Sequence, residues 1–82
     1  MSINYLLKAI EIIGGQTALA ESLGIKQAHI WSWLNRTKKG VPAEFVIDVA
    51  VQTYWQVTPH ELRPDLYPHP EDGLPAHLRH VA

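Results

Sequence analysis

The sequence predicts an all-α fold. It has five short helices in one domain over residues 1–67, followed by a flexible tail over residues 68–82. Three observations carry this. Apolar residues recur at spacings of three and four in the segments between glycines and prolines, the period of a helix. No stretch alternates apolar and polar residues as a half-buried strand does. Within residues 16–35, QTALAESLGIKQAHIWSWLN, Ala20 precedes Gly24 by four residues and Ile30 follows it by six. A helix-turn-helix needs a small residue where two helices cross, a glycine in the tight turn and an apolar lock on the second helix.

Residues 3–13, INYLLKAIEII, form the first helix, with Ser2 as N-cap. Asn4, Lys8 and Glu11 make its one polar stripe, and so wide an apolar arc predicts a helix largely covered by others. Gly14 and Gly15 end it. The second helix covers residues 16–23, with Leu19, Ala20 and Leu23 inward and Glu21 and Ser22 outward. Gly24 supplies the positive φ at its end, and Ile25 turns back into the core. The third helix covers residues 27–37. Ile30, Trp33 and Leu34 share one face, and Ala28, Trp31, Ser32 and Asn35 the opposite one. Lys38, Lys39 and Gly40 make a short basic loop.

Pro42 begins the fourth helix at a suitable first position, with Glu44 in the first turn and an end near Trp55. Phe45, Val46, Val49 and Ala50 form its core stripe, and Ile47, Val51 and Tyr54 a second apolar stripe. One stripe packs on the helix-turn-helix; the other is left for a partner subunit or the C-terminal part. Thr58, Pro59 and Glu61 spell a capping box for a fifth helix, which Pro64 cuts short. Pro68, Pro70, Gly73 and Pro75 leave little periodicity, so residues 68–82 are expected to be irregular or disordered.

Composition narrows the function. A chain of 82 residues holds one small domain, of marginal stability or helped by oligomerisation. The absence of cysteine excludes disulfides and cysteine-bound zinc. No apolar run reaches spanning length, and the first residues lack the order of a signal peptide, so a cytoplasmic protein with no membrane partner is expected. Net charge is −1, yet four of the seven Lys and Arg lie between residues 26 and 39, where no Asp or Glu falls. That local field suits a phosphate backbone.

The second helix of such a motif enters the major groove N-terminal end first. Gln27 is best placed there, because its amide matches adenine N6 and N7. Ser32 can bond a base edge, and Ala28 is small enough to meet a thymine methyl. Lys26, Asn35, Arg36, Lys38 and Lys39 are the candidates for phosphate, as are Gln16 and Thr17 at the start of the second helix. His29 lies at the margin, as a phosphate contact or an uninvolved surface residue. Trp31 stands on the exposed face. It either touches thymine methyls or a sugar edge, or it folds against Lys38 or packs at a subunit contact.

Catalysis and cofactors find no support. His69, His77 and His80 lie in the proline-broken tail, where nothing holds ligands in fixed geometry, so no metal is expected. No nucleophile, base and orienting group stand out, and no glycine-rich phosphate loop is present. The expectation is a protein that is not an enzyme.

GQTALAESLGIKQAHI at residues 15–30 resembles the helix-turn-helix of Cro-type phage regulators in its Gly-Gln-Thr opening, alanine, Leu-Gly-Ile turn, glutamine and isoleucine lock. WLN at 33–35, VPAE at 41–44 and LRPDLYP at 62–68 look more like the prophage YdaS-type antitoxin or Cro-like family. The resemblance covers about residues 5–68. It implies a lambda-repressor/Cro-like, five-helix DNA-binding domain that regulates transcription, often as a dimer on an inverted repeat. By position, Gln16 and Thr17 would meet phosphate, while Gln27, Ala28, Trp31 and Ser32 would face bases. The family usually has a small or polar residue where Trp31 stands. Pairing through a C-terminal strand is disfavoured by the prolines, so Ile47, Val51, Tyr54, Trp55 and Val57 are the candidate dimer surface. The alternative is a protein-interaction module, an antitoxin that covers a toxin or an anti-repressor.

Overall fold

Leu6, Ala9 and Ile10 sit on one side of the first helix and are buried in the common core. The computed structural model of the chain describes residues 2–37 and 40–79. Its helices are α1 (Ser2–Ile13), α2 (Gln16–Leu23), α3 (Gln27–Asn35), α4 (Val46–Gln52) and α5 (Pro59–Leu62). Short 3-10 helices occur at Ala43–Phe45 and Ala76–Leu78, and no strand occurs among the described residues. The fold is all-helical. Lys38, Lys39 and His80 lie outside the described residues.

The core joins Leu6, Leu19, Ile30, Val41, Val46, Val49, Val57 and Leu62, all essentially without solvent contact. Each such side chain contributes about 1.5–3 kcal/mol relative to exposure. α1 follows the expected pattern with one change: Leu7 is 51% exposed. It stands between Asn4, Lys8 and Glu11 at helical spacing, so the solvent stripe is wider than the polar residues alone suggest.

Four expected boundaries move. α1 begins at Ser2, which was expected to cap it from outside. α3 stops at Asn35 rather than Thr37. Thr37 donates its hydroxyl to the Trp33 carbonyl and accepts from the Gly40 N–H, so it closes the helix instead of continuing it. The fourth helix is shorter at both ends. Pro42 precedes a 3-10 turn, and the α-helix begins only at Val46. It ends at Gln52 because the Thr53 hydroxyl donates to the Ala50 carbonyl at 2.8 Å and accepts from the Val57 N–H at 3.1 Å. Tyr54 and Trp55 then adopt left-handed backbone, φ 55° and 63°, and the Trp55 N–H returns to the Ala50 carbonyl.

α5 has the expected capping box: the Glu61 N–H donates to Thr58 Oγ1 and the Thr58 N–H to Glu61 Oε1. Just beyond it Arg63 is buried. Its Nε and Nη2 donate to the two Asp65 carboxylate oxygens at 2.8 and 2.7 Å, and Nη1 donates to the Val41 carbonyl at 2.8 Å. The Asp65 carboxylate pushes the Arg63 pKa up by its hydrogen bonds, more than burial pulls it down. The fork thus fixes the chain after α5 to the start of the fourth-helix region.

Residues 68–79 contain no α-helix and follow a path of turns. The His69 N–H donates to Asp72, and Arg79 Nε donates to the Leu74 carbonyl. The segment is laid against α5. A Cβ at Gly73 would stand 2.8 Å from Pro59 Cγ and 3.0 Å from the Tyr67 ring. His60 Nδ1 donates to the Tyr67 carbonyl at 2.7 Å, which fixes its tautomer.

Two stability outcomes are expected in urea melts. Arg63→Ala strands the buried Val41 carbonyl and lowers stability by about 2 kcal/mol, and Arg63→Lys recovers only part because an ammonium lacks the fork. Gly73→Ala destabilises more than Gly24→Ala. Gly24 has φ 72° with open space around it, so only backbone strain of about 1–2 kcal/mol applies there.

Candidate nucleic-acid interface

The α2–α3 pair is the most closely packed part of the sequence-predicted site. Gly24 takes φ 72° and ψ 27°. Its N–H reaches the Glu21 carbonyl and the Ile25 N–H the Ala20 carbonyl at 3.0 Å, so the chain reverses within one residue of the helix end. Ala20, Ile30 and Trp33 are buried, and the Trp33 ring lies 5.5 Å from that of Phe45, tying α3 to the fourth-helix region. Of the four residues read as the motif core, Ala20, Ile30 and Trp33 lie in one buried cluster, and Gly24 is exposed in the turn between α2 and α3.

With Ile30 and Trp33 inward, the opposite face of α3 is turned to solvent. Gln27, Ala28 and Trp31 are exposed and Ser32 is half-buried. Lys26, Asn35 and Arg36 are exposed around them. At the start of α2, Thr17 is exposed and Gln16 half-buried, with the Gln16 Oε1 buried and unpartnered. Gly15, the N-cap, brings no side-chain acceptor, so the first-turn N–H groups of α2 have no side chain to cap them. Two expected phosphate contacts, Lys38 and Lys39, lie outside the described residues.

Two side chains have roles the sequence did not disclose. His29 Nδ1 accepts the Lys26 backbone N–H at 3.2 Å, so the imidazole caps the start of α3. The spacing of three from the N-cap was the available signal. Trp31 packs under Arg36, whose guanidinium carbon lies 5.4 Å from the ring centroid. On an ideal helix, positions five apart point in different directions. Arg36 is the C-cap, with φ −113°, and this departure lets its side chain fold back.

The fold removes one residue from the candidate dimer surface. Val51 and Tyr54 are 44% and 84% exposed, and Ile47 and Trp55 are half-buried. Val57 is fully buried in the core of the single chain and cannot meet a second copy. No group of three or more His, Asp or Glu able to hold a metal occurs among the described residues. No helix there is long and apolar enough to cross a membrane.

Charge is distributed unevenly along the chain. Five of the seven basic residues precede Gly40, and six of the eight acidic residues follow Ala43. The α2–α3 half is therefore the basic half.

A family model described as bacterial toxin YdaS matches residues 6–71, from within α1 through α5 to the turns beyond it. No curated protein and no solved structure matches the chain.

The crossing itself is open to test. Ala20→Val inserts methyl groups where α2 and α3 meet and is expected to destabilise the protein by about 1–3 kcal/mol in a thermal or urea melt. An unchanged midpoint would mean that the helices do not meet at this residue.

Proposed function

The chain belongs to the family described as bacterial toxin YdaS, and from that premise we propose that it is a sequence-specific double-stranded DNA-binding regulator of transcription. In this reading it is a Cro-like repressor of prophage origin, acting in the cytoplasm by occluding a promoter rather than by catalysis. The α2–Gly24–α3 unit is its helix-turn-helix, and α3 is the recognition helix. One observation carries the proposal: the outward face of α3 offers Gln27, Ala28, Trp31 and Ser32, flanked by Lys26 and Arg36, and no acidic residue lies between Lys26 and Lys39.

The roles follow from position. Gln27 stands on the first turn of α3, where a side chain reaches base edges, and its amide pairs with adenine. Ala28 permits close approach, and Ser32 bonds a base or phosphate. The uncapped first turn of α2 supplies backbone donors for a phosphate beside Gln16 and Thr17. Lys26, Asn35, Arg36, Lys38 and Lys39 complete the backbone contacts. Two copies on an inverted repeat would set their recognition helices about 34 Å apart, one DNA turn. Ile47, Val51, Tyr54 and Trp55 are the proposed contact between copies.

A second reading has its own support. Tyr54 is the most exposed large hydrophobic residue described, and Val51 lies near it in sequence. An apolar edge of this kind also fits a protein partner, a toxin or a regulator that the chain covers.

Selection from a random duplex pool at two salt concentrations separates the two. The DNA reading expects an enriched sequence with inverted-repeat symmetry and steeply salt-dependent binding. Gln27→Ala and Ser32→Ala should each weaken the selected site by about 1–3 kcal/mol per lost base contact. No enrichment, with weak salt dependence, would favour the protein partner.

A further inference from the structure

We propose that Trp31 is a positioning residue, whose indole holds the Arg36 guanidinium as a donor for one backbone phosphate of duplex DNA. The inference rests on the DNA-binding reading above and changes the role of Trp31 within it. The family resemblance put Trp31 with the residues that face bases, while its own position left open that it folds against Lys38 or meets a subunit.

The geometry argues otherwise. The Arg36 guanidinium lies over the Trp31 ring, with its carbon 5.4 Å from the centroid. A cation–π contact of this kind is electrostatic and takes up none of the guanidinium's N–H donors as hydrogen bonds. Among the described residues no hydrogen bond or ion pair uses those donors, and Asp65 is the acid that occupies the other forked arginine, Arg63. A planar, pre-oriented and unoccupied fork suits a phosphate oxygen pair.

Position along α3 selects phosphate over base. Arg36 is the C-cap of α3. A recognition helix that enters the groove N-terminal end first has its last turn at the groove wall, where phosphates lie. That end of a helix carries exposed carbonyls and a partial negative charge, which would repel an anion. Here the Asn35 amide covers the Trp31 carbonyl at 2.9 Å and the Thr37 hydroxyl covers that of Trp33. Arg36 follows Asn35 in the chain and adds a positive charge at this end of the helix, which favours an anion. An indole face occupied by the guanidinium is also withdrawn from thymine methyls.

The test is the binding of the full chain to a generic duplex of mixed sequence, followed across salt. Arg36→Ala is expected to weaken binding several-fold and to make the slope of log affinity against log salt shallower by about 0.9, one phosphate. Trp31→Ala should produce much of the same loss although it removes no charge. Trp31→Phe should restore most of it, and the double variant should be no weaker than Arg36→Ala alone. Trp31 is 47% exposed, so circular dichroism should show these variants folded. The proposal is overturned if Trp31→Ala binds the generic duplex normally, or if the two losses multiply in the double variant. It is likewise overturned if replacing thymine by uracil in the duplex abolishes the Trp31 effect. No salt-dependent binding by the unaltered protein would overturn the DNA reading and this one together. Normal binding with multiplying losses would overturn this one alone.

Discussion

The close crossing of α2 and α3 is the constraint on which the rest of the structure depends. Ala20 and Ile30 lie in the same buried cluster and both are shut off from solvent, so a side chain larger than a methyl at Ala20 must displace its neighbours. Gly24 makes the crossing reachable by reversing the chain in left-handed backbone. Once the helices cross there, the rotation of α3 is settled. Trp33 must point inward to Phe45, and residues on the far side must face solvent. The exposed face is a by-product of the buried one. A small core enforces this strongly, because it has few alternative packings for a side chain as large as tryptophan.

The C-terminal part does a different job. α5 has one turn and cannot be stable alone. It is held by Leu62 and Pro59 in the core and by the Arg63 fork. The fork bonds a main-chain carbonyl 22 residues away, so it closes a loop that contains the whole fourth-helix region. Val41 and the segment after α5 are therefore tied together. The turns beyond Tyr67 pack onto it through Gly73.

Much of the helical layout was legible in the sequence, because periodicity and caps are local signals. α2 was readable to the residue from its two flanking glycines, and the α5 capping box from Thr58 and Glu61. The misread ends share a cause. At Thr37 and Thr53 a hydroxyl takes a helix carbonyl and then bonds the chain beyond, and a threonine inside an apolar pattern does not announce that it will do so. With α4 ended early, Val57 enters the core, although the sequence had grouped it with Trp55 in the candidate dimer surface. In the candidate site, the inward and outward faces of α3 were legible from spacing. The Trp31–Arg36 contact was not, because it depends on the backbone leaving the helix at Arg36.

The three tryptophans occupy three environments: Trp33 is 5% exposed beside Phe45, Trp31 is 47% exposed beneath a guanidinium, and Trp55 is half-buried after α4. Indole emission depends on polarity and on neighbouring charge, so the chain carries its own optical reporters. Emission from Trp33 follows the loss of the core, and emission from Trp31 follows events on the outer face of α3. Single-tryptophan variants would therefore separate unfolding from ligand encounter in an unlabelled protein.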